Sequence, residues 1–199
     1  MFRKHYDILV RVNFSAILKK NGKEVERREV HNVLTDVGAD WLAHLVAWHS
    51  LGDPDVPVTQ RRVRWIGVGT GTSQDELQGV VKIEVPTPVD DAGNYLAALD
   101  GSEFPDAEVP TARFFKEFGT GDITTVINPI VPITEAALFV DVHRVGEIGG
   151  YSDSPWGTLS TTLNPLNSDN PPVTYARFEP ITKTRDYSLE FSWDYRFGT

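Results

Sequence analysis

The sequence has no cysteine and one methionine in 199 residues. Without cysteine there are no disulfide frameworks, thiolate zinc sites, iron–sulfur clusters or cysteine nucleophiles. No compartment follows from that absence. There is no run of about 18 apolar residues, so neither a spanning helix nor a membrane partner is expected. Met1-Phe2-Arg3-Lys4-His5-Tyr6-Asp7 leads into alternating polar and apolar residues, unlike the continuous apolar core of a signal peptide.

Basic residues are also scarce: 19 Lys and Arg stand against 28 Asp and Glu, for a net charge of −9. That balance argues against a nucleic-acid partner, which normally needs a basic face. The scarcity is local. Between Lys82 and Arg113 there is no basic residue, while Glu84, Asp90, Asp91, Asp100, Glu103, Asp106 and Glu108 fall there. Residues 1–64 carry 11 basic and 8 acidic side chains (net +3), and residues 65–199 carry 8 and 20 (net −12). The ordinary reading of such a stretch is a solvated acidic loop. The sharper one is a homo-oligomer in which the basic N-terminal part of one copy meets the acidic excursion of the next. On that reading Lys19 and Lys20 on one side, and Asp90 and Asp91 on the other, are candidate partner contacts.

What is present reads mainly as β. Tyr6, Ile8, Val10, Val12, Phe14, Ala16 and Leu18 recur every second residue, the pattern of a half-buried strand. Lys20-Asn21-Gly22-Lys23 supplies a tight turn, and 24–34 returns as a charged edge or hairpin arm. One helix is predicted over 35–49, capped by Thr35 with Asp36 at its positive end. Val37, Trp41, Leu45 and Trp48 lie on one of its faces. Further strands are expected at 63–68, 80–85, 113–118, 123–127, 133–145 and 173–178. The last strand mirrors the first, with Tyr187, Leu189, Phe191, Trp193, Tyr195 and Phe197 alternating. Residues 86–112 and 146–172 read as two long loops. The expected fold is a mainly β, sandwich or jelly-roll-like single domain over 1–199. Its parts are an N-terminal hairpin (1–34), a helix (35–49) and a β body (61–199).

Candidate chemistry is weak. Gly67-Val68-Gly69-Thr70-Gly71 lacks both the dinucleotide spacing and a following Lys-Ser/Thr pair, so it reads as a turn allowing close strand approach. His44 and His49, about 140° apart around a helix, do not face one ligand; His5, His31 and His143 form no metal motif. Asp90-Asp91-Ala92-Gly93-Asn94 has oxygen donors near a glycine but lacks a calcium-loop pattern. The acid pairs Asp53 with Asp55 and Asp90 with Asp91 suggest glycoside hydrolysis only formally. No metal, cofactor or catalytic residue is expected, and the chain reads as non-enzymatic. Trp156, with Tyr151 in the same polar loop, is a candidate contact to a protein or to a host glycan, although such an aromatic more often pins its own loop.

Four segments, in order, resemble those of small structural proteins of tailed-bacteriophage virions. Val33-Leu34-Thr35-Asp36-Val37-Gly38-Ala39-Asp40-Trp41-Leu42 is similar to an Asn-Leu-Val-Thr-(Asp/Asn)-Ala-Gly-x-x-x-Leu opening. Trp65-Ile66-Gly67-Val68-Gly69-Thr70-Gly71-Thr72 resembles a GTGT segment. Ile133-Thr134-Glu135-Ala136-Ala137-Leu138-Phe139 resembles ITEAGLF, with Ala137 where the pattern has Gly. Tyr175 to Thr184, followed by Tyr187 to Trp193, resembles ARxxFxPITKT and a closing strand. The resemblance spans about residues 33–197, interrupted by the two long loops. It implies a structural protein of the tail, baseplate, collar or fibre region, assembled in the host cytoplasm with other virion proteins. Capsid decoration and receptor or carbohydrate binding are the alternatives. It carries no catalytic residue. The glycines read as turn-shapers, and Thr182-Lys183-Thr184 as a polar bend.

Overall fold

Asn21 and Gly22 both adopt positive φ, at 51° and 74°, and close the first hairpin between β1 (Val10–Lys20) and β2 (Lys23–Leu34). Two consecutive positive-φ residues match the right-handed twist of paired strands, which is why Asn-Gly sits here. The computed structural model describes residues 10–36, 38–39, 41–42, 63–72, 82–105, 108–125, 127–140 and 172–198. The other strands are β3 (Val63–Gly69), β4 (Pro86–Thr87), β5 (Leu96–Ala98), β6 (Gly101–Glu103), β7 (Thr111–Phe118), β8 (Ile130–Val140), β9 (Thr174–Thr184) and β10 (Ser188–Phe197).

All the pairings are antiparallel. The path runs β4-β3-β8-β9-β2-β1-β10-β7-β6, with β5 also on β3. It makes two sheets, one of them a curled half-barrel. β2 joins them: its body pairs with β1, and its last two residues, Val33 and Leu34, pair with Tyr175 and Thr174 of β9. The first sheet is β2-β1-β10-β7-β6. The second is β9-β8-β3 with β4 and β5.

The alternation in β1 and β10 puts Val12, Phe14, Ala16, Leu18, Leu189, Phe191, Trp193 and Tyr195 on one face of the first sheet. They meet Ile66, Val68, Ala136, Leu138, Ala176, Phe178 and Ile181 of the second. Phe14 stacks on Phe178 across the layers, 5.0 Å between centroids. The hydroxyls of Thr174 and Tyr195 also meet across them. A second, smaller core lies on the far side of the second sheet, where Ile83 and Leu96 cover Ala137, Phe139 and Tyr175. β8 is therefore buried on both faces.

Several expectations need correction. The helix over 35–49 is not shown as such. Thr35 caps a turn, accepting the Gly38 N–H at 3.0 Å, with Asp36, Ala39, Trp41 and Leu42 in helical conformation, and the remainder lies outside the described residues. The 86–112 stretch is not one long loop, because it holds β4, β5 and β6, each too short for a sequence period. The 146–172 loop lies outside the described residues apart from Pro172. The described part of 80–85 forms no strand, because the Glu84 and Val85 amides bond a carboxylate instead of a ladder. The described part of 123–127 is irregular as well, with Ile123 at φ 66°. Thr182-Lys183-Thr184 is no bend: it continues β9, and the turn falls at Arg185-Asp186.

Candidate functional site

Gly67, Gly69 and Gly71 recur every second residue and so share one face, the side occupied by the small second core. A Cβ on Gly69 would stand 2.5 Å from the Val85 carbonyl oxygen, and one on Gly71 2.6 Å from Glu135 Oε1. The space they leave holds the carboxylate of Glu135, which is fully buried. Its Oε1 accepts the N–H of Gly71 (2.8 Å) and of Val85 (2.9 Å). Its Oε2 accepts the N–H of Glu84 (3.0 Å) and the hydroxyl of Tyr175 (2.7 Å). Thr134 donates its hydroxyl to the Gly71 carbonyl at 2.6 Å. Burial, and then the bond to Glu135, push the Tyr175 phenol well above its usual range. Four donors on one carboxylate meet the requirement that a buried charge be hydrogen-bonded. Both oxygens are occupied, so Glu135 acts as a clamp on the 70–72 and 83–85 backbone.

Sequence reasoning missed this carboxylate. The available signal was one acid within an otherwise apolar strand, opposite glycines of matching parity. Lys183 was missed in the same way. Alternation from Ile181 turns it inward, fully buried, with Nζ donating to the carbonyls of Thr184 (3.1 Å) and Thr120 (3.3 Å). Burial pulls its ammonium down to about 8.

The outer face of the first sheet is different. A groove of about 470 Å³ crosses it, lined by Asn13, Ser15, Arg27, Glu29, His31, Arg113, Ser192, Asp194 and Arg196, with Phe14 and Val30 beneath. Register explains the assembly: Asn13 stands opposite Asp194 and His31, and Ser15 opposite Ser192 and Glu29. Arg113 holds Asp194 with two bonds, 2.6 and 2.9 Å, and reaches Glu103 at 3.3 Å. Ser15 and Ser192 share a bond of 2.9 Å, and His31 Nδ1 lies 3.1 Å from Asn13 Oδ1.

The candidate contacts named from sequence do not gather in one place. Lys19 pairs with Glu190, which raises its pKa, and Lys20 lies over the Tyr187 ring at 5.3 Å. Asp90 is partly desolvated, yet bonds from Asn94 N (3.0 Å) and Nδ2 (2.7 Å) hold its carboxyl below the usual range. Asp91 is exposed beside it. Tyr151 and Trp156 lie outside the described residues. Two acids of the excursion are neutralised within the chain, Asp100 by Lys116 (2.7 Å) and Glu103 by Arg113. Among the described residues no group of three His, Asp or Glu side chains is placed to hold a metal ion. No family model matches the chain, and no curated protein or solved structure matches it either.

Proposed function

We propose that this chain is a non-enzymatic structural component of a bacteriophage virion, a β-sandwich body built into the tail, baseplate or collar in several copies. The observation that carries this reading is the meeting of three of the four virion-like segments. Gly69 and Gly71 from the second, Thr134 and Glu135 from the third, and Tyr175 from the fourth share one hydrogen-bonded knot. Thr35, from the first, donates to the Pro172 carbonyl at 2.6 Å, just ahead of the fourth. Residues of the second, third and fourth segments thus hold the 70–72 and 83–85 backbone to the second sheet. The charge split, +3 over 1–64 against −12 beyond, supports contact between copies.

The test is to locate the chain in purified particles. Peptides at a few to a dozen copies per particle, with density at the tail or collar, are the expected result. Copy numbers near the capsomer count would move it to capsid decoration, and absence from particles would overturn the reading.

A further inference from the structure

The pairs lining the groove on the first sheet engage most of its acceptors and leave several donors. Both Asp194 oxygens are taken by Arg113, Glu29 Oε1 by Arg27 (3.1 Å), and Asn13 Oδ1 by His31. What remains is the Asn13 amide N–H pair, one hydroxyl proton of the Ser15 and Ser192 pair, the Arg196 guanidinium and, as an acceptor, Glu29 Oε2. Arg11 stands directly opposite Arg196 across β1 and β10, both are exposed, and neither has an ion-pair partner among the described residues. Like charges directly opposite on a sheet repel, so this end of the groove favours an anion. From Arg11 to Ser15 the donor levels extend over about 13 Å, at about 3.3 Å per residue. An inorganic oxyanion is far shorter than that. Beyond the arginines the free donors are neutral, which does not suit the repeated charge of a nucleic acid. Phe115, opposite Ser192 on this face, lays its ring against Gly101, where a Cβ would come within 3.1 Å. The ring is an apolar surface of the kind on which a sugar stacks.

We propose that this groove binds an acidic saccharide, its carboxylate between Arg11 and Arg196 and its ring hydroxyls on Asn13, Ser15 and Ser192. The proposal stands independently of the virion reading. Because the chain carries −9 overall, the attraction is short-ranged and weakens with added salt.

The test is calorimetric titration of the full chain with disaccharides ending in glucuronate, galacturonate or N-acetylneuraminate, each beside its carboxyl-reduced neutral counterpart. At least one acid is expected to bind, with its neutral counterpart at least tenfold weaker. Arg11→Ala and Arg196→Ala should each weaken binding at least tenfold and Phe115→Ala about threefold, while Lys23→Ala at the hairpin turn leaves it unchanged. Unchanged urea midpoints for the arginine variants will show that folding is intact. No binding at millimolar sugar, or equal binding of acid and neutral forms, overturns the proposal. So does inorganic phosphate that competes at the same concentration as the disaccharide. Salt-sensitive self-association lost in the arginine variants, with no sugar bound, makes a second copy the occupant and overturns it equally.

Discussion

On the second sheet the outer face is covered by the chain's own residues 83–96, and the buried Glu135 carboxylate there meets four donors. On the first sheet no described residue covers the outer face, and the Arg11 and Arg196 guanidiniums meet no acid among the described residues. Where the chain covers a polar group, it must also supply the partners, because leaving a buried group unpaired costs about 1–3 kcal/mol or more for a charge. Where no cover exists, water or a ligand completes the bonding, and the side chains need not close on one another. A satisfied polar cluster under cover therefore reads as scaffold, and a donor-rich cluster without cover as a contact surface.

The largest test of this contrast is Glu135→Ala. It strips three N–H groups and the Tyr175 hydroxyl of their acceptor, and a loss of about 3–5 kcal/mol is expected in urea unfolding. Tyr175→Phe removes one donor of the four and should lose about 1 kcal/mol. A Glu135→Ala variant within 1 kcal/mol of wild type would break the contrast. Gly69→Ala comes next, at about 1–3 kcal/mol, because its Cβ would press on the Val85 carbonyl. Combined with Glu135→Ala it should cost less than the sum, since both act on one site.

Lys183 sharpens the contrast through pH. Its pKa is about 8 in the folded chain and 10.5 in the unfolded one, so between those values the unfolded state binds more protons and stability rises with pH. Thermal melts from pH 7.5 to 9.5 should show the rise in wild type and a flatter profile in Lys183→Met. Above about pH 10 the trend reverses, because burial keeps the Tyr175 and Tyr195 phenols protonated when folded while the unfolded phenols ionise. The smallest effect belongs to the open face: Arg11→Ala and Arg196→Ala should each stay within about 0.5 kcal/mol of wild type. A loss of 2 kcal/mol from either would show that the open face is also scaffold.

Legibility from sequence followed the same division. β1 and β10 were readable because one face of each is buried and the other is not, so their alternation is strict. β4, β5 and β6 were not, since two or three residues carry no period. Residues 82–85 looked like a strand because Ile83 and Val85 alternate with polar neighbours, and nothing local shows that the Glu84 and Val85 amides bond a carboxylate some 50 residues on. Lys183 was misread because its chemistry suggests exposure while its parity turns it inward, and in this strand parity prevailed. The open groove was unreadable for a different reason: its residues come from four strands, and only register brings Asn13, His31 and Asp194 to one level.

β1 lies between a neighbour joined to it by a two-residue turn and one about 170 residues or more away in sequence, as Val12 pairs with both Asn32 and Tyr195. Its two edges are therefore completed at very different times. The hairpin with β2 closes within microseconds of emerging from the ribosome. The other edge waits for β10, which at 5–20 residues per second leaves a bare strand exposed for roughly ten seconds or more. Such an edge is a template for pairing with another chain. During that interval newly made copies compete for it, so the yield of correctly folded protein falls as the rate of expression rises.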